Sequence, residues 1–317
     1  LDLAFYNNIT RNQILDVPMD QTTGYTKATM NSGKVRNRGI ELQLDGTPVK
    51  TKNFTWNSTF TWAKNYNKVL SLAAGLTDGQ TIAYTGGTNC ALIAKVGGSI
   101  GDIYGYKLKR APDGQVVWKD GITARTTEFE YVGNAYPAWK AGFSNEFSYK
   151  NFRVSILFDG QWGGIVYSQT HHKMTEHGTL KHTLKYRENP NFEVVGEGVM
   201  LDERGQYVPN NVPISVSKYY ADYWRRANVE TNSFDASFLK LREARIEYTI
   251  PSAGLNKIGI ERLTLALYGR NLAMWTKDFP VYDPEVATLN NGTIVPGSEM
   301  GQLPSTRTMG FNLTLKF

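Results

Sequence analysis

The chain has 317 residues, is rich in aromatic side chains (18 Tyr, 14 Phe and 7 Trp) and in glycine (30), and has a mean hydropathy of −0.40. No run of about 18 consecutive apolar residues occurs, which excludes a transmembrane helix. The net charge of +6 is spread along the chain, so the sequence does not indicate a nucleic-acid-binding surface. Cys90 is the only cysteine, and an intrachain disulfide is therefore excluded.

Eight segments in which apolar and polar residues alternate follow one another along the chain. Alternation with a period of two predicts β-strands that have one apolar and one polar face. In the third segment, for example, Phe54 and Trp56 share one face while Thr55 and Asn57 share the other. The predicted strands are 1–15 (the weakest pattern), 39–45, 53–66, 139–149, 152–162, 233–250, 262–270 and 304–317.

The connections between these strands alternate between long and short. The short ones are 47–52, 150–151 and 251–257, and the long ones are about 17–33, 70–135, 171–231 and 277–303. Outer-membrane β-barrels have short periplasmic turns and long extracellular loops. A soluble β-sandwich has no reason to place every long loop at one end, so the loop lengths favour an antiparallel transmembrane barrel.

One loop segment has helical rather than strand-like spacing. Residues 215–226 place Tyr219, Tyr220, Tyr223 and Trp224 at helical intervals, which predicts a short helix here.

The strand at 233–250 differs from the others because Lys240, Arg242, Glu243 and Arg245 put charge on both of its faces. A charge on the lipid side at the middle of the bilayer costs about 2–4 kcal/mol. We therefore expect part of this strand to lie above the membrane or against protein.

The last strand has the clearest pattern. Its apolar face carries Met309, Phe311, Leu313, Leu315 and Phe317, with polar residues or glycine between them. The chain ends inside this strand on the aromatic Phe317, which is typical of outer-membrane barrels.

Eight strands form a small barrel only if the first pairs with the last, because an open sheet edge is forbidden in lipid. Loops of roughly sixty residues would be unusual above so small a barrel, by comparison with known outer-membrane barrels. The chain also begins at Leu1 within a strand pattern and without a signal peptide. We therefore expect this chain to be a piece of a longer polypeptide, with further strands before Leu1.

Several short motifs, in this order and spacing, resemble the SusC/RagA family of TonB-dependent outer-membrane transporters. They run over nearly the whole chain. The motifs are NRGIELQL (37–44), NFTW (53–56), NYNKV (65–69), IYGY (103–106), VGNAYP (132–137), ASFLKLRE (236–243), YTIP (248–251), GRNL (269–272), WTK (275–277), DPE (283–285) and the terminal Phe317.

The resemblance implies that residues 1–317 are the last eight strands of a barrel of about 22 strands. It also implies a plug domain elsewhere in the protein, a SusD-like surface lipoprotein that caps the extracellular mouth, and energy supplied by TonB. Family members import oligosaccharides or peptides, and the resemblance suggests two transporter–lipoprotein pairs together. It implies no cofactor, and a location in the outer membrane of a Gram-negative, Bacteroidetes-like bacterium.

Loop aromatics are the candidate binding residues, since flat rings beside polar groups suit sugars and peptides. The same rings could instead pack against the capping lipoprotein. These residues are Tyr104, Tyr106, Trp118, Tyr219, Tyr220 and Trp224. Trp275 and Tyr282 are candidates for the aromatic belt at the membrane interface.

Three charged or histidine-rich groups have a simpler interpretation than a site. The cluster His171, His172, Glu176, His177 and His182 matches no standard zinc spacing, so we predict no metal. Glu128 and Glu130 indicate a solvated hairpin rather than a glycosidase pair. The arginines at 36, 38, 242, 245, 262 and 270 are predicted to pair with glutamates on neighbouring strands rather than to line a basic lumen.

The sequence thus predicts an all-β barrel wall with extracellular loops that serves nutrient import and is not an enzyme. Two alternatives stay open at this stage. The first is a passive porin-like or adhesion barrel, and the second is a soluble all-β glycan-binding protein or hydrolase.

Overall fold

The structure, a computed structural model, describes residues 1–18, 22, 24–25, 27–31, 33–72, 79–85, 87–251, 259–281, 283–285, 287–290 and 293–317. Among these residues, no helix is both long and apolar enough to cross a membrane.

The dominant element is an eight-stranded antiparallel sheet in which each strand pairs with the next of the eight along the chain. The prediction of eight strands in this order is confirmed. The strands are β1 (Asp2–Arg11), β2 (Lys34–Lys50), β3 (Phe54–Ser71), β4 (Trp139–Tyr149), β5 (Phe152–Trp162), β6 (Phe238–Ile250), β7 (Arg262–Thr276) and β8 (Thr308–Lys316).

The register of the sheet gathers the apolar residues of all eight strands on one side, which we call the apolar face. Leu265 of β7, for example, lies between Leu313 of β8 and Tyr248 of β6. These side chains are not covered by protein, since Phe311 is 79% and Leu267 is 62% exposed. The opposite side, the polar face, carries residues such as Thr61 and Lys140.

A β-bulge in β6 determines on which face each charged residue of this strand lies, which the sequence alone did not show. The pairing with β7 shifts between Leu241 and Glu243, and the extra residue changes which alternate positions share a face. As a result Leu239 and Leu241 join the apolar face, while Lys240 and Glu243 join the polar face. The expectation that part of this strand lies against protein is met at Lys240, which is buried and donates a hydrogen bond to Asp283 of the last long connection.

Aromatic residues border the apolar face at both ends. At the end with the short turns lie Tyr149 and Phe152 of adjacent strands, with the Phe152 ring 4.5 Å from that of Tyr248. At the opposite end Trp139 and Trp162 stack with their ring centroids 6.4 Å apart. The strand of 11 residues between Phe152 and Trp162 is about 33 Å long, which at a tilt of about 40° spans roughly 25 Å.

All long connections leave from the tryptophan end of the sheet, as predicted. The two-residue turn between β4 and β5 contains Lys150 in the left-handed region (φ 52°), which a tight hairpin requires.

Among the described residues, the first and last long connections contain short strands. These are Ile14–Pro18 and Lys27–Asn31 in the first, and Thr288–Asn290, Thr293–Val295 and Ser298–Glu299 in the last. The connection between β3 and β4 adds Gln80–Thr85, Cys90–Ala94, Asp102–Gly105, Val117–Lys119, Ile122–Thr123 and Glu130–Asn134.

The connection between β5 and β6 contains both helices of the described residues. They are α1 (Gln169–Glu176) and α2 (Val216–Tyr223), and α2 confirms the predicted helix. Short 3₁₀ turns occupy Lys181–Leu184, Pro190–Phe192 and Glu230–Asn232. The short strands of this connection are Ile165–Ser168, Glu193–Val195, Val199–Leu201, Tyr207–Pro209, Pro213–Ser215 and Ser233–Asp235.

The three connections after β3, β5 and β7 pack together into one layer, which we call the loop layer. Its main core joins Cys90 and Ile103 from the first of them to Tyr167 and Val229 from the second and Val295 from the third. The protein's buried hydrophobic side chains are thus mostly in the loop layer, while the wall strands expose theirs.

Candidate binding site

A cavity of about 680 Å³ lies where the loop layer meets the polar face of β2, β3 and β4. Amides and phenol rings dominate its walls, which gives it hydrogen-bonding groups beside flat apolar surfaces. The lining residues used below are Asn65, Asn67, Tyr131, Asn134, Tyr136 and Lys140.

Hydrogen bonds from the loop layer to the wall fix the shape of this cavity. The side-chain oxygen of Asn67 in β3 accepts hydrogen bonds from the Ser99 hydroxyl and the Ile100 N–H, both at 3.0 Å. The buried carboxylate of Asp102 accepts one from the Asn134 amide at 2.7 Å. The cavity wall is therefore tied to a wall strand rather than carried on a free loop.

Two tyrosines, Tyr131 and Tyr136, present their rings at this cavity, and the sequence analysis did not select either of them. The Tyr136 N–H donates to the Asn134 side chain at 2.7 Å, which fixes the turn. A Cβ at Gly101 would lie 2.7 Å from the Tyr136 ring, so only glycine permits this approach. The motif at 132–137 contains Tyr136 and directly follows Tyr131, so it is the sequence signal that points to this part of the cavity.

Of the predicted residues, Tyr104 lies next to the lining residue Tyr131, and Tyr106 lies farther from the cavity. The Tyr104 ring meets Tyr131 edge to face at 5.7 Å, and the Lys95 ammonium lies 4.5 Å from the Tyr104 centroid. Burial raises the pKa of the Tyr104 hydroxyl, so it is a neutral hydrogen-bonding group. Tyr106 packs edge to face on Phe129 at 4.8 Å, beneath the Arg125 guanidinium.

The other four predicted aromatics form a packed cluster in the loop layer. Trp118 is 1% exposed, and its ring lies nearly parallel to those of Tyr219 and Tyr223, with centroids 6.1 Å away in both cases. Tyr220 is buried and stacks on Trp224 at 5.5 Å. The structure thus brings these residues together but gives much of their ring surface to one another.

Local interactions explain why this cluster forms. Ser215 caps α2 by accepting a hydrogen bond from the Lys218 N–H at 3.2 Å. The Tyr220 hydroxyl lies 2.9 Å from the carbonyls of His182 and Lys185, and the Trp118 indole donates to the Glu197 carbonyl at 2.9 Å. The polar ends of the rings are therefore satisfied within the layer.

His171 and His172 act as buried hydrogen-bonding residues of the same core. The Nδ1 of buried His171 lies 2.9 Å from the Asn232 side-chain oxygen, and that of His172 lies 2.7 Å from the Trp224 carbonyl. Burial lowers the pKa of His171 to about 4 and also lowers that of His172. Within the described ranges, no group of histidine, cysteine and carboxylate side chains is arranged to hold a metal ion.

Ion pairs on the polar face attach the last long connection to the wall. The ammonium of Lys240, whose side chain is 3% exposed, donates to Asp283 at 2.6 Å and also contacts Glu285. Arg242 bridges Glu285 and Asp159 with hydrogen bonds of 2.5 and 2.6 Å. The predicted pairing of arginines with glutamates is seen for Arg270 with Glu243 and for Arg245 with Glu247, while Arg242 pairs with acids on β5 and in the loop. The prediction was wrong for the arginines at 36 and 38, which form no ion pair among the described residues.

The remaining predicted positions divide between the apolar face and solvent. Trp275 is 54% exposed on the apolar face at the tryptophan end, and Phe317 is 78% exposed just beyond β8. Tyr282 lies outside the described residues. Glu130 is the exposed first residue of the strand Glu130–Asn134, and Glu128 lies in the bend before this strand.

Relatives with curated names match the whole chain. A TonB-dependent receptor P26 of Formosa agariphila is 29% identical over 346 residues, and TonB-dependent receptor P3 of the same organism is 24% identical over 350 residues. Both alignments cover 100% of the chain and 32% of the relative, so the chain spans about a third of these proteins. The TonB-dependent receptor SusC of Bacteroides thetaiotaomicron is 26% identical over 44% of the chain and 15% of its own length. No protein-family model matches.

Solved structures share the fold. The RagAB peptide transporter superposes with a TM-score of 0.67 at 20% identity, and the RagAB peptide importer in its closed-closed state with 0.68 at 21%. Each match covers 99% of this chain and 33% of the other. These findings confirm the predicted barrel fold and the resemblance to the SusC/RagA family. The relatives are named as receptors and transporters, in agreement with the prediction that the chain is not an enzyme.

Proposed function

We propose that this chain forms part of the wall and the extracellular loops of a TonB-dependent importer of nutrients in the outer membrane. The observation that carries the proposal is the segregation of the sheet into an exposed apolar face, bordered by aromatic rings roughly 25 Å apart, and a polar face. The soluble alternative requires a second layer over the apolar face, because a soluble sheet buries such a face.

The loop layer then lies on the extracellular side, at the end from which the long connections leave. Residues 1–317 would be the C-terminal part of the barrel, with the plug domain and other strands elsewhere in the protein. A SusD-like lipoprotein would cover the loop layer, TonB would act on the plug, and two transporter–lipoprotein pairs would assemble together. The organism would be a Gram-negative bacterium of Bacteroidetes type.

The substrate we propose is an oligosaccharide or a peptide. Tyr131 and Tyr136 supply flat faces, while Asn65, Asn134 and Lys140 supply hydrogen-bonding groups in the same cavity. That combination suits sugar hydroxyls and peptide amides alike. RagAB is named as a peptide transporter, which favours a peptide over an oligosaccharide as the substrate. Tyr104 and Tyr106 would back the cavity, whereas Trp118, Tyr219, Tyr220 and Trp224 would shape the surface that meets the lid.

The test is uptake by cells that carry the full-length protein. Labelled oligosaccharides and labelled peptides are offered to cells with and without TonB. Uptake that requires TonB supports energy-coupled import, whereas uptake that persists without TonB indicates the passive pore.

Substitution at the cavity identifies where the substrate binds. We expect Tyr131→Ala with Tyr136→Ala to reduce TonB-dependent uptake by about tenfold, the effect of losing roughly 1.4 kcal/mol of binding. Tyr207→Ala, a change at an exposed loop tyrosine outside the cavity, is the matched control. Equal uptake by the cavity variant and the control would contradict the assignment of this cavity.

A further inference from the structure

The apolar face ends abruptly in a group of basic side chains on β2 and β3. The last wholly apolar pair toward the loop end is Leu42 opposite Trp62. Beyond it the positions on the same face are Arg38 opposite Tyr66 and Arg36 opposite Lys68, with Lys64 between Trp62 and Tyr66. We call Arg36, Arg38, Lys64 and Lys68 the basic patch.

The four cations of the basic patch lack acidic partners. None of them forms an ion pair within the part of the chain that the structure describes. The acidic residues of β1 and β2, which are Asp2, Glu41 and Asp45, lie at positions of the polar face instead. The charge on this side of the sheet is therefore positive throughout.

Two details show that the patch lacks a ligand within the protein itself. Arg36 and Lys68 are direct cross-strand neighbours, and like charges in that position repel. The Nε of Arg36 is buried and has no hydrogen-bond partner among the described residues. The Arg38 guanidinium is held over the Tyr66 ring at 5.3 Å, which orients it outward from the strand pair.

The position of the basic patch along the strands identifies the region of the membrane that it contacts. Lys64 follows Trp62 by two residues on the same face, about 7 Å farther along the strand. Tryptophans at this end mark the membrane interface if the chain forms a barrel wall. The cations therefore lie where lipid headgroups lie, and guanidinium and ammonium groups both bind phosphate.

We propose that the basic patch is a binding site for the phosphate groups of lipid headgroups in the outer leaflet. This inference rests on the proposed function, because it needs the apolar face to be embedded in lipid. It goes beyond transport, since it assigns to the outside of the wall a site that anchors phosphorylated lipid and fixes the height of the barrel.

The experiment uses the full-length protein, delipidated in neutral detergent, and native mass spectrometry to measure bound lipid. The probes are phosphatidic acid, diacylglycerol as its form without phosphate, and inorganic phosphate alone. The test variant is Arg38→Gln with Lys64→Gln. The matched control, Arg153→Gln with Lys316→Gln, removes the same charge from the polar face of β5 and β8.

We expect the test variant to bind phosphatidic acid about thirtyfold more weakly, since each cation near an anionic lipid surface contributes about 1 kcal/mol. Arg38→Lys, which keeps the charge, and the polar-face control should bind as the unmodified protein does. Diacylglycerol should bind weakly to all of them, and inorganic phosphate should not displace phosphatidic acid.

Three results would overturn the inference: equal binding by test variant and control, diacylglycerol binding as tightly as phosphatidic acid, or displacement of phosphatidic acid by inorganic phosphate. Its failure can be distinguished from failure of the proposed function. A full-length protein that is soluble without detergent contradicts both, whereas a detergent-dependent protein with equal lipid binding contradicts only the lipid site.

Discussion

The amide of Asn145 lies within the apolar face beside the hydroxyl of Ser58, and its position calls for an explanation. Asn145 occupies the position opposite Ile156 of β5 and Ser58 of β3. An unpaired amide in an apolar environment costs several kcal/mol. The side-chain oxygen of Asn145 accepts a hydrogen bond from the Trp56 indole at 2.9 Å, and the residue is only 7% exposed. Trp56 thus both covers and satisfies the amide.

This pairing predicts unequal effects for two conservative substitutions. Trp56→Phe should lower the free energy of unfolding by about 1–3 kcal/mol, because it leaves a buried acceptor unsatisfied. Trp62→Phe is the control, since the Trp62 indole makes no hydrogen bond among the described residues. Denaturant unfolding of the full-length protein in lipid micelles measures both. If Trp62→Phe lowers the free energy of unfolding as much as Trp56→Phe does, the hydrogen bond does not contribute the predicted stability.

His171 makes the loop layer sensitive to pH. Burial lowers its pKa from 6.5 to about 4, against the opposing effect of the Asn232 hydrogen bond. The folded layer therefore binds fewer protons than the unfolded one between these values, and its stability decreases as the pH falls from about 6.5 toward 4. The full effect of this one group is at most about 3 kcal/mol.

We expect the opening free energy of residues 165–235, measured by hydrogen exchange with correction for intrinsic rates, to be lower at pH 5 than at pH 7. His171→Asn should make this difference smaller. His177→Asn, at an exposed histidine of the same segment, should leave it unchanged. A pH dependence that is the same in both variants would show that His171 is not its source.

At the scale of a strand, the two faces of β5 predict opposite tolerance of charge. Ile156 lies on the apolar face near the middle of the strand, and its neighbour Leu157 lies on the polar face opposite Ser144 and Glu243. Ile156→Arg should therefore cost about 2–4 kcal/mol, while Leu157→Arg should cost little. The measurement is the yield of folded full-length protein in the outer membrane. Similar yields for the two variants would contradict the assignment of the faces.

The strands were predictable because each alternates in sequence, and the loop lengths supplied their order. The strand ends were less predictable than the strands themselves. In β2, for example, the strand continues through Arg38 and Arg36, where the outward side chains change from apolar to basic. The bulge in β6 was not predictable, since it follows from pairing with two neighbours.

The binding residues were harder to identify from composition than the strands were. An aromatic in a loop can line a cavity, as Tyr131 does, or fill a core, as Trp118 does. Both have the same local sequence character. Only the tertiary contacts, such as the stacking of Trp118 against α2, separate the two cases.

At the scale of the whole molecule, the sheet leaves β1 and β8 each paired on one side only. Unpaired backbone groups are not tolerated in the hydrocarbon region of a membrane. Within the described residues β1 and β8 do not pair with each other, and the chain spans 32% of the first two curated relatives. We therefore expect a wall segment whose edges are completed by other strands of a larger barrel.

Disulfide trapping in the full-length protein tests this closure directly. Leu265→Cys with Leu313→Cys should cross-link, because these residues are direct neighbours on β7 and β8 and lie within the Cα separation that a disulfide needs. Phe5→Cys with Leu313→Cys should not cross-link, because the edges of β1 and β8 are held apart by the remaining strands. Cys90 is fully buried in the loop layer and should not interfere. Cross-linking of Phe5→Cys to Leu313→Cys at the rate of the neighbouring pair would mean that these eight strands close on themselves, and the larger barrel would have to be abandoned.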